Sequence, residues 1–146
     1  MDELVTSLRI ALANTFVMYF KSHSYHWNIE GKDFPQYHGF LDDLYNELHD
    51  AVDPLSERIR VIGQYSPHSL KDLLESSTIE EDIDKPESAE AMFNNLLDAN
   101  NKVVDSLNKV FELASKNNKQ GIANFIADRL DVHAKHGWFL KSLLKG

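Results

Sequence analysis

The sequence predicts an all-α protein, a four-helix bundle with a short helix in the connection between the second and third long helices. Apolar residues recur at intervals of three and four along four long segments, which is the period of an amphipathic helix. Glycine and proline are few, six and four respectively, and most of them lie where those segments end. The connection after the second segment is much longer than the others, which is typical of bundles with a crossover connection.

The first half of the chain predicts two long helices joined by a tight turn. The first helix is expected from about residue 3 to residue 28. Gly31 lies in the turn, Asp33 is placed to cap the second helix, and Pro35 suits its first turn. The second helix is expected to end at Gly63. It has the cleanest apolar stripe of the chain: Phe34, Tyr37, Leu41, Leu44, Leu48, Val52, Leu55, Ile59 and Ile62.

The second half predicts one short and two long helices. The short helix is expected from Leu70 to about Ser76, and residues 75–90 form an acidic, solvated connection with seven acids and one lysine. Ser88 begins the third long helix, Asn117 ends it, and the fourth runs from about residue 119 to 144.

Composition narrows the class of protein. A chain of 146 residues suits one domain spanning residues 1–146. The absence of cysteine excludes disulfides and thiolate metal sites. With no membrane-length apolar run and no signal pattern, we expect a cytoplasmic protein without a membrane partner. A net charge of −8, from 23 acidic and 15 basic residues, and the lack of a lysine-rich tail make DNA binding unexpected.

Four residues stand out as candidate metal ligands. His26 and His38 flank the predicted turn, so the fold should bring them together. Asp53 and Glu57 are four residues apart on the second helix, so their carboxylates share a face. Imidazoles combined with carboxylates suit ferrous iron, zinc or manganese.

The spacing of these candidates excludes a shared site within one chain. Fifteen residues separate His38 from Asp53, which is about 22 Å along a helix, whereas metal–ligand bonds are about 2 Å long. If both pairs bind one metal, the carboxylates must come from a second chain. An antiparallel partner related by two-fold symmetry would create two equivalent sites.

A second stripe on the same helix also indicates a partner. A solvated face is the ordinary interpretation of such a row, but two histidines and a tyrosine interrupt its charges, which favours a subunit interface. Its members are His38, Asp42, Tyr45, His49, Asp53, Glu57 and Arg60.

The motifs around these ligands are specific. The run Tyr25–Phe34 contains His-Trp-x-x-x-Gly-x-x-Phe, a second histidine follows the first by twelve residues, and Asp-x-x-x-Glu-Arg begins fifteen residues later. Residues 69–81 and the segment His133-x-Lys135-x-x-Trp138 extend the similarity along nearly the whole chain. In these features the chain resembles the Dps-like miniferritins of the ferritin-like superfamily.

This resemblance implies a function and an assembly. It implies a hollow dodecamer built from two-fold dimers, which oxidises Fe(II), preferably with hydrogen peroxide rather than dioxygen, and stores the ferric mineral as protection against oxidative damage. His26 and His38 would bind iron from one subunit, and Asp53 and Glu57 from its partner. Trp27 would stand beside the site as an electron donor, and zinc is a possible substitute for iron.

Other interpretations stay open at this stage. The protein could be a structural or nucleoid-protecting cage with a vestigial or zinc-occupied site, or a helical bundle used for protein interaction. Pro54 lies inside the second helix, where proline costs about 3 kcal/mol unless the helix bends. Residues 116–124, at the family's usual acidic pore, contain no acid. Four acids could face a mineral cavity or simply solvent: Asp42, Asp43, Glu47 and Asp50.

The remaining histidines favour structural roles. His23, His133 and His136 are predicted to be hydrogen-bonded packing residues, although His23 could also support His26 from one helical turn away. His68 is predicted to be a loop residue. For His49, a structural role and a role in the subunit interface are equally supported.

Overall fold

The computed structural model describes residues 2–145, which form five α-helices and no strand. The long helices are α1 (Asp2–Asn28), α2 (Phe34–Val61), α4 (Ala89–Lys116) and α5 (Gln120–Leu144), and the short helix is α3 (Leu70–Ser76). The prediction of an all-α four-helix bundle with a short helix in the connection between the second and third long helices is therefore confirmed. Within this part of the chain, no helix is both long enough and apolar enough to cross a bilayer.

Helix α1 is the central element of the packing. It packs against α2, α4 and α3, and α4 packs in turn against α5. The apolar stripes predicted from the sequence meet in one core. Its largest fully buried side chains are Tyr25, Phe93, Leu4, Leu8, Met18, Ile29, Leu41, Leu48, Leu55, Ile59, Met92 and Leu96.

The starts of α3 and α4 follow local capping chemistry, whereas those of α2 and α5 have no side-chain cap. The side chains of Ser69 and Ser88 accept hydrogen bonds from backbone N–H groups three residues ahead, at 3.1 and 3.0 Å, and so begin α3 and α4. Asp33 occupies the N-cap position of α2, but its side chain makes no capping hydrogen bond, so the predicted cap is wrong. Pro54 lies inside α2, which continues unbroken through it.

The acidic connection before α4 is exposed for most of its length but is tied to α1 at two points. The amide oxygen of the buried Asn14 accepts hydrogen bonds from the backbone N–H of Thr78 at 2.8 Å and from the Ser77 hydroxyl at 2.9 Å. Further along, the ammonium of Lys21 lies 3.0 Å from a carboxylate oxygen of Asp82. These contacts fix the path of the chain over the outside of α1.

A polar network joins α2 to α5. Glu47 accepts hydrogen bonds from Arg129, one of them at 3.1 Å, and lies 2.7 Å from Nε2 of His136. His133, which is fully buried, contacts Asn100 at 2.8 Å and Arg129 at 3.1 Å. The prediction that His133 and His136 are hydrogen-bonded packing residues is confirmed. Glu47 is bound by two partners of its own chain and is therefore not the free cavity acid considered from the sequence.

Candidate metal centre

The turn between α1 and α2 brings two histidines from different helices face to face. Gly31 adopts a φ of +126°, which a residue with a Cβ rarely tolerates, and the buried Ile29 anchors the turn in the core. As a result the rings of His26 and His38 stack with centroids 3.6 Å apart and an angle of 16° between their planes. The predicted proximity of this histidine pair is present in the structure.

The two histidines are held by reciprocal hydrogen bonds. Nδ1 of His26 donates to the carbonyl of His38 at 2.8 Å, and Nδ1 of His38 donates to the carbonyl of His26 at 2.7 Å. The carbonyl of His26 lies in the last turn of α1, where a helix leaves its carbonyls without an internal partner. Each imidazole ring is thus held in place by the carbonyl group of the other histidine, and that carbonyl gains a hydrogen-bond donor.

This arrangement determines which nitrogen of each ring is available. A neutral imidazole that donates from Nδ1 carries a lone pair on Nε2, and a second hydrogen bond of this kind is what usually orients a metal-binding histidine. Oδ1 of Asp42 lies 3.9 Å from Nε2 of His26, which is too long for a hydrogen bond. The histidine pair therefore presents two fixed nitrogen atoms that could bind a metal, beside the carboxylate of Asp42.

The two candidate carboxylates lie elsewhere on the surface. Asp53 and Glu57 are both exposed on α2. Because α2 is one continuous helix over this range, the carboxylate pair starts about 22 Å from His38 along its axis. Within residues 2–145, no three His, Asp or Glu side chains are grouped closely enough to hold a metal ion. One chain therefore carries two separate pairs of candidate metal ligands, and neither pair is a complete metal site.

Aromatic and imidazole rings surround the histidine pair on one side. We call this the aromatic cluster, and it comprises Tyr19, His23, Trp27, Tyr45 and His49. His23 is central: its ring stacks on Tyr45 at 3.8 Å and lies 4.1 Å from Trp27, and its Nδ1 is 3.0 Å from the Tyr19 hydroxyl. Burial lowers the pKa of His23, and the nearby His26 lowers it further.

The sequence pattern singles out His23, Trp27, Tyr45 and His49 but does not predict how their rings are arranged. Trp27 is 57% exposed and packs on His23. Tyr19 is not among the site residues predicted from the sequence. Its spacing of four residues from His23 was the available signal, because residues four apart share a helix face.

The surface beside the candidate site is partly apolar. Along the second stripe of α2, Asp42 and Tyr45 are half-buried, whereas the residues from His49 onward are exposed. A groove of about 560 Å³ adjoins His49. It is lined mainly by side chains of α1 and α3, which include Phe16, Phe20, Leu70 and Leu74. Exposed apolar residues grouped next to polar ones are typical of protein interaction surfaces.

Comparisons with known proteins agree with this fold and this pattern. A family model described as a ferritin-like domain matches residues 5–146. General stress protein 20U of Bacillus subtilis is 30% identical over 146 residues, which cover 98% of each chain. The crystal structure of Dps from Staphylococcus aureus is 30% identical, with a TM-score of 0.92 over 99% of this chain and 96% of that one.

The description of a second solved structure also names the chemical class of its superfamily. Dps from Vibrio cholerae O1, described as a member of a superfamily of ferritin-like diiron-carboxylate proteins, superposes with a TM-score of 0.92 at 28% identity. The match covers 98% of this chain and 89% of that one. The chain therefore belongs to the ferritin-like family and is, within it, a Dps-like miniferritin.

Proposed function

We propose that this protein oxidises Fe(II) at sites shared between paired subunits and stores the ferric product inside a closed assembly. His26 and His38 bind the iron from one subunit, and Asp53 and Glu57 bind it from the partner. Hydrogen peroxide is the preferred oxidant and dioxygen the alternative. Iron is the substrate of this reaction and the cargo of the assembly.

One observation carries the proposal. The reciprocal Nδ1-to-carbonyl bonds of the histidine pair hold both Nε2 lone pairs in fixed positions before any metal arrives. A histidine that only packs in the core does not need such preorganisation, because both of its ring nitrogens normally bind partners inside the protein, as those of His133 do. Two imidazoles alone are an incomplete site for iron, which supports a second donor set from outside the chain.

The carboxylate pair fits that missing set. Both acids are exposed and sit on the same helix as His38, so an antiparallel pairing of two α2 helices would place each carboxylate pair against the partner's histidine pair. The negative charge of two carboxylates offsets the charge of the ferrous ion and favours its oxidation to the ferric state. The apolar groove beside His49 provides surface for the pairing.

The proposed reaction balances with two ferrous ions for each peroxide. Each Fe(II) gives up one electron, the O–O bond is cleaved, and two protons from solvent complete two water molecules. Membership of the ferritin-like family supports storage of the product in a cage, and we propose the dodecamer of the Dps-like proteins. Asp43 and Asp50, which are exposed on α2, are candidates for nucleating the mineral. With a net charge of −8, the assembly is not expected to bind DNA.

Subunit mixing tests the shared site directly. Co-expressed His38→Ala and Glu57→Ala subunits pair at random, and each mixed dimer contains one site with all four ligands. About a quarter of all sites should then be intact, and the initial rate of ferric absorbance after anaerobic Fe(II) loading and peroxide addition should recover to about that fraction of wild type.

In the matched control, both substitutions remove a histidine ligand and so affect the same half of the site. Mixing His38→Ala with His26→Ala subunits leaves every site without one histidine, so no recovery is expected. Equal recovery in both mixtures, or none in either, would contradict a site shared between subunits. Absence of peroxide-driven iron oxidation in the wild-type assembly would contradict the function itself.

A further inference from the structure

Tyr19 is hydrogen-bonded to a base next to the candidate metal centre. Its hydroxyl lies 3.0 Å from Nδ1 of His23, one turn further along α1. A phenol is a stronger acid and a poorer acceptor than an imidazole, so we assign Tyr19 as the donor and Nδ1 as the acceptor, with the ring proton of His23 on Nε2. Tyr19 is half-buried, and its ring also lies 4.9 Å from that of His49.

Ring contacts connect this pair to the metal centre. Tyr45 stacks on His23 with centroids 3.8 Å apart and only 6° between the planes. The Tyr45 ring in turn lies 5.1 Å from that of His26. A continuous series of contacting π-systems therefore runs from a proposed iron ligand to Tyr19.

The hydrogen bond favours Tyr19 over Trp27 as the residue that is oxidised. A phenol that loses an electron becomes a very strong acid, so its oxidation is favoured when a base already accepts its proton. Tyr19 has such a base in His23. The indole of Trp27 contacts the same imidazole at 4.1 Å, but no hydrogen bond from its N–H is found among residues 2–145, and its ring is largely exposed.

We propose that Tyr19 and His23 form a proton-coupled electron donor, which supplies the second electron when a site holds only one ferrous ion. This inference rests on the proposed function. Peroxide then receives one electron from Fe(II) and one from Tyr19, and its O–O bond is cleaved to two hydroxide ions. The phenolic O–H bond breaks, a new N–H bond forms at Nδ1 of His23, and the products are Fe(III), a neutral tyrosyl radical and an imidazolium.

The consequence is that a half-filled site releases no hydroxyl radical. One ferrous ion alone supplies one electron, which leaves peroxide one electron short of complete reduction. The oxidising equivalent is instead held as a phenoxyl radical inside the protein, where a later ferrous ion can return the electron.

Freeze-quench electron paramagnetic resonance tests this inference in the assembled protein. The protein is loaded anaerobically with less than one Fe(II) per site, mixed with hydrogen peroxide and frozen. A tyrosyl radical is expected in wild type, and incorporation of ring-deuterated tyrosine should narrow its spectrum. The signal should be lost in Tyr19→Phe and in His23→Phe, since the second variant keeps a ring against Tyr45 but removes the base.

Tyr37→Phe is the matched control, because Tyr37 packs on Phe93 at 5.0 Å and has no part in the proposed site. It should retain the full radical signal. A radical that survives in Tyr19→Phe and disappears in Tyr45→Phe or Trp27→Phe would overturn the assignment. If Tyr19→Phe does not assemble, the wild-type protein provides the test. Double-resonance spectra of its radical should show an exchangeable proton hydrogen-bonded to the phenoxyl oxygen, and the absence of that proton would overturn the inference.

Failure of this inference and failure of the proposed function give different results. Iron oxidation without any protein radical in wild type would refute the electron donor and leave the function standing. No ferric absorbance, even with iron in excess over the sites, would refute both.

Discussion

Arg129 of α5 binds both carboxylate oxygens of Glu47 on α2, with Nη2 3.1 Å from Oε1. This ion pair spans two helices whose backbones remain further apart than those of the closely packed pairs. The guanidinium is almost fully buried, whereas the Glu47 side chain is 32% exposed. The interaction therefore links α2, which carries three of the four proposed ligands, to α5.

Replacing Glu47 with glutamine should destabilise the fold. The substitution leaves the buried Arg129 without a counter-charge, a change that costs about 3–5 kcal/mol for fully buried pairs. Because Glu47 is partly exposed, we expect about 1–3 kcal/mol, measured from urea unfolding at fixed protein concentration. Glu112→Gln is the control, since its pair with Lys109 is exposed and should contribute less than about 1 kcal/mol. Equal effects of the two substitutions would contradict a stabilising role for the α2–α5 pair.

Stability should fall in two steps as the pH is lowered. Burial holds the pKa of His133 well below its ordinary 6.5, so below pH 6.5 the unfolded chain binds a proton that the folded chain does not, and unfolding is favoured. Burial alone would raise the pKa of Glu47, but its bonds to His136 and Arg129 outweigh this and lower it from 4.5 to about 2. A second loss is therefore expected between pH 4.5 and 2.

Thermal unfolding across this pH range measures both steps. His133→Asn should make the first step smaller but not abolish it, because the pKa of His23 is also lowered, whereas His68→Asn should leave the step intact because the imidazole of His68 is 90% exposed. A profile for His133→Asn that falls below pH 6.5 as steeply as wild type would assign that step to another group.

Zinc should inhibit iron oxidation. Zn(II) accepts the same nitrogen and oxygen ligands as Fe(II) but has no redox chemistry, and it binds such sites more tightly. Zn(II) added before Fe(II) should slow the initial rate of ferric absorbance, and Mg(II) at the same concentration should not. The residual rate of an Asp53→Asn/Glu57→Gln double variant should be insensitive to zinc; equal inhibition of that variant would show that zinc acts at another place.

The assembled protein should leave DNA unretarded in a gel at about 0.15 M salt. A net charge of −8 per chain repels the phosphate backbone, and no counterion release compensates for it. Lowering the ionic strength strengthens this repulsion, so retardation should not appear there either. A band shift at the higher salt concentration would reveal a DNA-binding surface that the net charge conceals.

The sequence predicted the helices well because their signals are local. The apolar stripe of α2 and the serines before α3 and α4 depend only on neighbouring residues, and the predicted bounds of α3, Leu70–Ser76, agree with the structure. Asp33 shows the limit of such signals: it occupies the capping position, yet its side chain makes no capping bond.

Contacts between distant segments were harder to predict. Glu47 resembled the free acids around it, since nothing in the sequence shows that Arg129, 82 residues away, binds it. The histidine pair was predictable because only a short turn separates its members. The reciprocal carbonyl bonds were not, since they depend on how α1 ends and α2 begins.

The length of α2 has a consequence for the life of a single subunit. In each folded chain the histidine pair, shared by α1 and α2, and the carboxylate pair of α2 are held too far apart by one continuous helix to act on the same ion. If the site is shared as proposed, a newly made, unpaired chain is expected to be inert toward iron and peroxide. On the proposed function, reactivity begins only with pairing, so newly made chains do not add a loose oxidant to the cell before there is a container for the ferric product.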